Sequence, residues 1–317
     1  MQADARIYVA GHRGMVGRAL VRALTARGHG NLLLRTREEL DLGDQHAVDR
    51  FFTRERPDYV FLAAARVGGI LANRTRPADF IHDNLAIALN VIGAAHRSGA
   101  TKLLNLGSSC IYPRLAPQPL REEYLLTGPL ETTNEAYAVA KIAAIKLCEA
   151  FRSQHGCNFI SAMPTNLYGP FDNFDLRSSH VLPALIRKFH EARTSGASFV
   201  EVWGTGRPRR EFLYVDDLAE ACLLLMESYD DAGFVNVGSG QDHEIREIAG
   251  MVARLVGFDG EIRYDTSKPD GTPQKLLDNS RLRRLGWRPR TDLGTGLTLT
   301  YRWFREHPVE ALRAEAH

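Results

Sequence analysis

The sequence holds no C-x-x-C pair and only four cysteines in 317 residues: Cys110, Cys148, Cys157 and Cys222. That leaves no basis for a disulfide framework and points to a reducing compartment. Charge excess is also missing. Against 40 Lys and Arg stand 38 Asp and Glu, for a net +2. With no basic tract or base-stacking motif, neither a nucleic-acid nor a membrane partner is expected. No uninterrupted apolar run is long enough to cross a bilayer, and the opening MQADARIYVAGHRG lacks a signal-peptide core, so the expectation is a cytoplasmic protein. The 11 histidines show no metal-ligand spacing, and no metal is expected. There is no repeat and no low-complexity tract. What is there, 44% hydrophobic and 25% charged residues, suits a folded chain with a substantial core, more readily two lobes than one.

Short apolar runs alternate with amphipathic segments from the start. RIYVAG, NLLLRTR, YVFLAAA and KLLNLGS read as strands. Between them GMVGRALVRALTARGH, with Val16, Leu20, Ala23 and Leu24 on one face, HAVDRFFTRERP and FIHDNLAIALNVIGAAHRSG read as helices. TNEAYAVAKIAAIKLCEAFRSQHG is one long helix with Asn134 as its expected cap, and FISAMPTNLYGP a further strand. Such alternation predicts an α/β fold, a Rossmann-type doubly wound parallel sheet covered on both faces. The alternation then loosens, predicting a smaller mixed α/β lobe. The expected division is 1–165 and 213–240 for the dinucleotide-binding domain, and 166–212 and 241–317 for the substrate domain.

Three glycines, Gly11, Gly14 and Gly17, lie at three-residue spacing between the first strand and the first helix. Such a turn lets the backbone approach a pyrophosphate and aims a helix N-terminus at it. At the end of the second strand an acidic residue would favour a free ribose 2′-hydroxyl, but here Arg35 and Arg37 come before the first carboxylate, Glu38. Arg13 adds a guanidinium inside the loop. Such charge suits a 2′-phosphate, so NADP(H) is expected over NAD(H); the alternative is that these arginines are merely solvated.

Tyr137 and Lys141 are four apart on the long helix and share a face. A free phenol, with a pKa of about 10, is a poor acid–base at neutral pH, and a nearby ammonium is expected to lower it. Tyr137 then serves as proton donor to a carbonyl, Lys141 reaches the nicotinamide ribose, and Ser108, at the fourth strand's end, completes the oxygen site.

Together with the glycine loop, Ser108 and Tyr-x-x-x-Lys resemble an extended short-chain dehydrogenase/reductase. The strings AARVGGILANRTRPADFI, GSSCIYP, TNEAYAVAKIAAIKLCE, MPTNLYGP, SSHVLPALIRKFHEA and SKPDGTPQKLLD narrow the resemblance to the GDP-L-fucose synthase family. These enzymes are 3,5-epimerase-4-reductases of GDP-4-keto-6-deoxy-D-mannose. Two departures are mild: that family often shows proline before the tyrosine, and an arginine occurs at the position of Lys188.

The resemblance assigns proton transfer at C3 and C5 to Cys110 and His180. A thiol and an imidazole, with ordinary pKa values of about 8.5 and about 6.5, bracket neutral pH. From the residues alone, Cys110 reads more readily as a small buried hydrophobe and His180 as a helix cap. The resemblance implies cofactor contacts from Gly11, Arg13, Gly14, Met15, Val16, Gly17, Arg37, Asp41, Leu42, Leu106, Gly107, Ser109, Lys141, Pro164, Asn166, Leu167 and His180. For the GDP-sugar it implies Asn166, Lys188, Trp203, Arg210 and Asp278. A related nucleotide-sugar reductase, epimerase or dehydratase, and a non-catalytic cofactor sensor, are the competing readings. Family analogy makes a homodimer the expected assembly, through the helices over 84–98 and 134–152.

Overall fold

The structure is a computed structural model that describes residues 1–268 and 270–307. Its first half builds the expected sheet. Strand β1 (Ile7–Ala10) is fully buried and runs through the glycine turn into α1 (Met15–Ala26), which buries Leu20 and Leu24. The second strand is shorter than NLLLRTR suggests: only Leu32–Leu33 (β2) pairs with β1. Asp44 then caps α2 (Gln45–Glu55) by accepting from the Ala47 amide, a favourable start for a helix. β3 (Tyr59–Leu62), the short α3 (Ile70–Thr75), α4 (Pro77–Arg97) and β4 (Lys102–Leu106) follow. Proline fits the first turn of α4 because no intrahelical partner awaits its missing N–H there. Helix α5 (Glu135–His155) lies beside α4 and leads to β5 (Phe159–Pro164).

The chain then leaves this sheet. β6 (Asn166–Tyr168), α6 (Val181–Ser195), β7 (Phe199–Trp203) and β8 (Arg209–Tyr214) belong to the second layer. Helix α7 (Val215–Ser228) returns to pack on α1, and β9 (Phe234–Val237) closes the main sheet. β10 (Asp242–Glu244), α8 (Ile245–Val256), β11 (Glu261–Asp265), β12 (Gln274–Lys275), α9 (Ser280–Arg284) and α10 (Leu293–Glu306) complete the described chain.

The main sheet has the order β2-β1-β3-β4-β5-β9, and every neighbouring pair is parallel. Its direction of winding reverses beside β1, so the carboxyl ends of β1, β3, β4 and β5 open onto one crevice. The smaller sheet is built on β8, which pairs with β10, β12 and β6, while β7 and β11 form a separate parallel pair. These short, mixed strands carry little periodicity, and this is why the sequence pattern loosens here. Two apolar clusters lie on the two faces of the main sheet, and a third is held by α6, α8 and α10. Leu282 and Trp287 pack back into the cluster that contains Val9 and Leu218. Among the described residues no helix is long and apolar enough to cross a membrane.

Candidate active site

The crevice begins at the glycine turn. Gly11 has φ +79°, and a Cβ there would lie 2.8 Å from Ala64 Cα. At Gly17 a Cβ would overlap the Gly11 carbonyl oxygen and come 2.6 Å from His12 Cα. Gly14, as the residue preceding α1, has no side chain to cap it, so the first amides of Met15 and Val16 keep their capacity for an anion. A turn this bare, against a helix N-terminus, fits a pyrophosphate.

The three arginines differ. Arg35 is already engaged with Glu55 at 3.2 Å, and Arg13 lies 3.9 Å from Glu38. Arg37 is exposed and acts on Glu38. Asp41 accepts from the Gly43 amide, and the Leu42 carbonyl accepts from Asn90, which shape the loop after β2. Met15, Val16 and Leu167 lie half-buried against the first apolar cluster. Pro164 ends β5 opposite Val237, and Asn166 donates to the Glu211 carbonyl.

At the end of β4 the chain turns through Gly107 into a short 3-10 helix, Ser109–Ile111, with Ser108 at its head. Ser108 Oγ accepts a long bond from the Cys110 amide at 3.4 Å, and its hydroxyl is hydrogen-bonded to Tyr137. Ser109 and Cys110 are buried. From α5, Lys141 Nζ donates to the Leu106 carbonyl at 2.8 Å and stands 5.7 Å from the Tyr137 ring centroid. Phe80 packs edge-on to the same ring. Ser108, Cys110, Tyr137 and Lys141 therefore meet at one place. His180, which opens α6 without capping it through its side chain, joins them through a residue not singled out in the sequence: Lys275, whose charge acts on both Cys110 and His180.

Burial decides the protonation here. It pushes the Tyr137 phenol well above its ordinary value, with Cys110 adding and the Ser108 hydrogen bond opposing. The expected lowering by Lys141 is thus not what the structure gives, because desolvation of the phenolate dominates. The result leaves Tyr137 protonated and able to donate. Lys141 is pulled down to about 8 by burial, with Cys110 acting the other way. Burial also raises the Cys110 thiol, opposed first by Lys275; His180 is exposed at the head of α6, and local desolvation there, assisted by Lys275, lowers its imidazole.

In the second lobe, Lys188 donates to the Glu201 carbonyl and sits 5.7 Å from the Trp203 ring centroid, with Lys268 at 5.8 Å. Trp203 is 53% exposed, so an indole wall flanked by two ammonium groups faces solvent. Arg210 is held down to about 10 by burial, opposed by Asp270 and Glu131. Asp278 does not join this group: its carboxylate accepts from the Ser280 amide at 2.7 Å and pairs with Arg121 at 3.8 Å. The carboxylate whose charge acts most on Arg210 is Asp270, which accepts from the amide and hydroxyl of Thr205. Asp270, Glu131 and Lys275 were the residues that spacing missed. Asp270 and Lys275 lie in SKPDGTPQKLLD, but β12 has only two residues and offers no pattern to read.

Residues 7–238 match the model of the NAD dependent epimerase/dehydratase family. The chain is 59% identical over 301 residues to GDP-L-fucose synthase 1 of Arabidopsis thaliana, covering 95% of this chain and 93% of that protein. It is 55% identical over 311 residues to the GDP-L-fucose synthase of Escherichia coli (strain K12), covering 95% and 97%. Among solved structures, a GDP-mannoheptose C4 reductase from Campylobacter jejuni with NADP bound superposes with a TM-score of 0.89 at 41% identity, covering 96% of this chain and 99% of that one.

Proposed function

The chain belongs to the NAD dependent epimerase/dehydratase family, and we propose that within it the protein works as an epimerase-reductase of a GDP-sugar. It converts GDP-4-keto-6-deoxy-D-mannose to GDP-L-fucose by inversion at C3 and C5 and reduction at C4, with NADP(H) as cofactor. The observation that carries this reading is the meeting of a thiol, a phenol and a serine hydroxyl at one strand end, with an imidazole sharing the same ammonium. A plain 4-reductase needs only the phenol and the hydroxyl.

The glycine turn and the amides at the head of α1 would hold the pyrophosphate, and Arg37 and Arg13 the 2′-phosphate. NADPH, when bound, supplies the hydride for C4. Tyr137 and Ser108 face the C4 carbonyl oxygen: they stabilise the enolate that forms when a C3 or C5 proton leaves, and Tyr137 later gives its proton to the alkoxide. Cys110 and His180 exchange the carbon-bound protons from opposite faces of the ring. All three steps run through one carbonyl, so one cavity suffices. Lys188 and Arg210 neutralise the diphosphate, and Trp203 walls the base.

Residues 1–165 and 213–240 would carry the cofactor, and 166–212 and 241–317 the GDP-sugar; Pro269 and 308–317 of that second part lie outside the described residues. A homodimer is in keeping with α4 and α5 packed side by side, leaving Leu89 and Val139 exposed. A cytoplasmic location is in keeping with four free thiols. The test is NADPH oxidation with GDP-4-keto-6-deoxy-D-mannose and NMR assignment of the product. A C4-reduced product with uninverted C3 and C5 would reduce the reading to a reductase.

A further inference from the structure

The placement of Lys275 is unusual. β12 runs parallel to β8 with Lys275 opposite Arg210, so the two cations lie side by side on one face of the small sheet. A recess between this strand and the turn after β4 is lined by Ser109, Cys110, Gln118, Glu131, Gln274 and Lys275. Among the described residues the ammonium of Lys275 has neither an ion pair nor a hydrogen bond. Lys275 is half-buried, and an ammonium partly drawn from water without a partner is costly, so a fold that keeps one has placed it against something that gains from the charge.

What shares the recess with it is the Cys110 thiol, while His180 lies outside that lining and feels Lys275 only through its charge. From β12, Lys275 acts on Cys110 in the turn and on His180 at the head of α6. Arg210 on β8 repels it, and Glu131, whose charge is shared with Arg210 and with Arg114 at 3.3 Å, attracts it. The other groups around the thiol are Ser108 in its own turn and Lys141 and Tyr137 on α5. Lys141 is committed to the Leu106 carbonyl. The Lys275 charge is the largest of the effects that offset the cost of ionising the buried sulfur.

We propose that Lys275 is the positioning residue that holds the Cys110 thiolate, and thereby makes Cys110 the base for removal of the carbon-bound protons. The proposal rests on the epimerase reading above. It acts through Cys110 and requires no contact between Lys275 and substrate. The same positive charge makes a protonated His180 a readier proton donor.

The test is the rate at which a small neutral alkylating agent modifies Cys110 in the full chain, followed on the Cys110 peptide by mass spectrometry from about pH 6 to about pH 9. Lys275→Gln and Lys275→Met remove a charge without a partner, so neither is expected to cost the fold. Both should move the rate profile up by about one pH unit, which is about tenfold slower modification at a fixed pH on the rising limb. Lys275→Arg should restore it. A packing defect would instead open the recess and speed the reaction, so the sign separates the two causes. Unchanged or faster modification in both neutral variants overturns the proposal. Failure of the epimerase reading shows separately, as wild-type protein that does not exchange substrate hydrogens with solvent whatever its alkylation profile.

Discussion

Replacing Gly17 by alanine tests whether the glycine turn is shaped by the protein itself or only by the cofactor. The added Cβ would overlap the Gly11 carbonyl oxygen and stand 2.6 Å from His12 Cα, both backbone atoms that no rotamer change can move. Forcing a methyl into such a site costs about 1–3 kcal/mol. With an unfolding entropy of about 2.1 cal/mol/K per residue, a chain of this length loses about 1.5 °C of Tm per kcal/mol, hence about 2–5 °C. Gly14→Ala is the control. Its Cβ would have only the Gly11 carbonyl oxygen near it, at 3.5 Å, and its φ of −73° suits alanine. That variant should melt within about 1.5 °C of wild type without cofactor, because a residue before a helix loses only a few tenths to about 1 kcal/mol on such a change. Both should bind NADPH more weakly, since both sit under the pyrophosphate. Differential scanning calorimetry of the cofactor-free proteins decides the matter. Equal melting temperatures for Gly17→Ala and Gly14→Ala would refute the packing argument.

Arg37→Glu should weaken NADPH by about 1.5–3 kcal/mol, roughly 10- to 150-fold in Kd, while leaving NADH nearly unchanged; Arg35→Glu should do less to NADPH because Arg35 is already paired with Glu55. Fluorescence titration with both cofactors gives the ratio, and an unaltered preference in Arg37→Glu contradicts the 2′-phosphate assignment. Tyr137→Phe should lower kcat for reduction by about 10²- to 10⁴-fold with little change in NADPH affinity. In wild type the same rate should fall as pH rises through about 8, where Lys141 loses the proton that its buried ammonium carries at lower pH. A rate that climbs across that range would argue against a role for the charged form.

The first half of the fold was legible because each element states itself locally. The glycine turn, the buried strands and the four-residue step from Tyr137 to Lys141 all fall within single elements. Ser108 was legible because it follows a buried strand, β4, whose end is a functional position in this architecture, whereas the role of Cys110 two residues on comes from the family resemblance. The second lobe was less so. Its strands β10 and β12 hold three and two residues, too few for alternation, and their partners are set by β8, far away in the chain. The string points to Asp278, whereas tertiary packing turns that carboxylate to Arg121 and leaves Asp270 as the carboxylate whose charge acts most on Arg210. The direction of the Tyr137 shift is not legible in the sequence for a related reason: helical spacing reveals a neighbouring ammonium but not how deeply both groups are buried.

The most direct test of the double inversion is hydrogen exchange between GDP-4-keto-6-deoxy-D-mannose and D2O, with Cys110→Ser compared against wild type and without NADPH. The wild-type protein should place deuterium at both C3 and C5, and the variant at neither, while Tyr137 and Ser108 remain to bind the carbonyl. Deuterium appearing in the variant at the wild-type rate would remove the thiol from the chemistry and contradict the account.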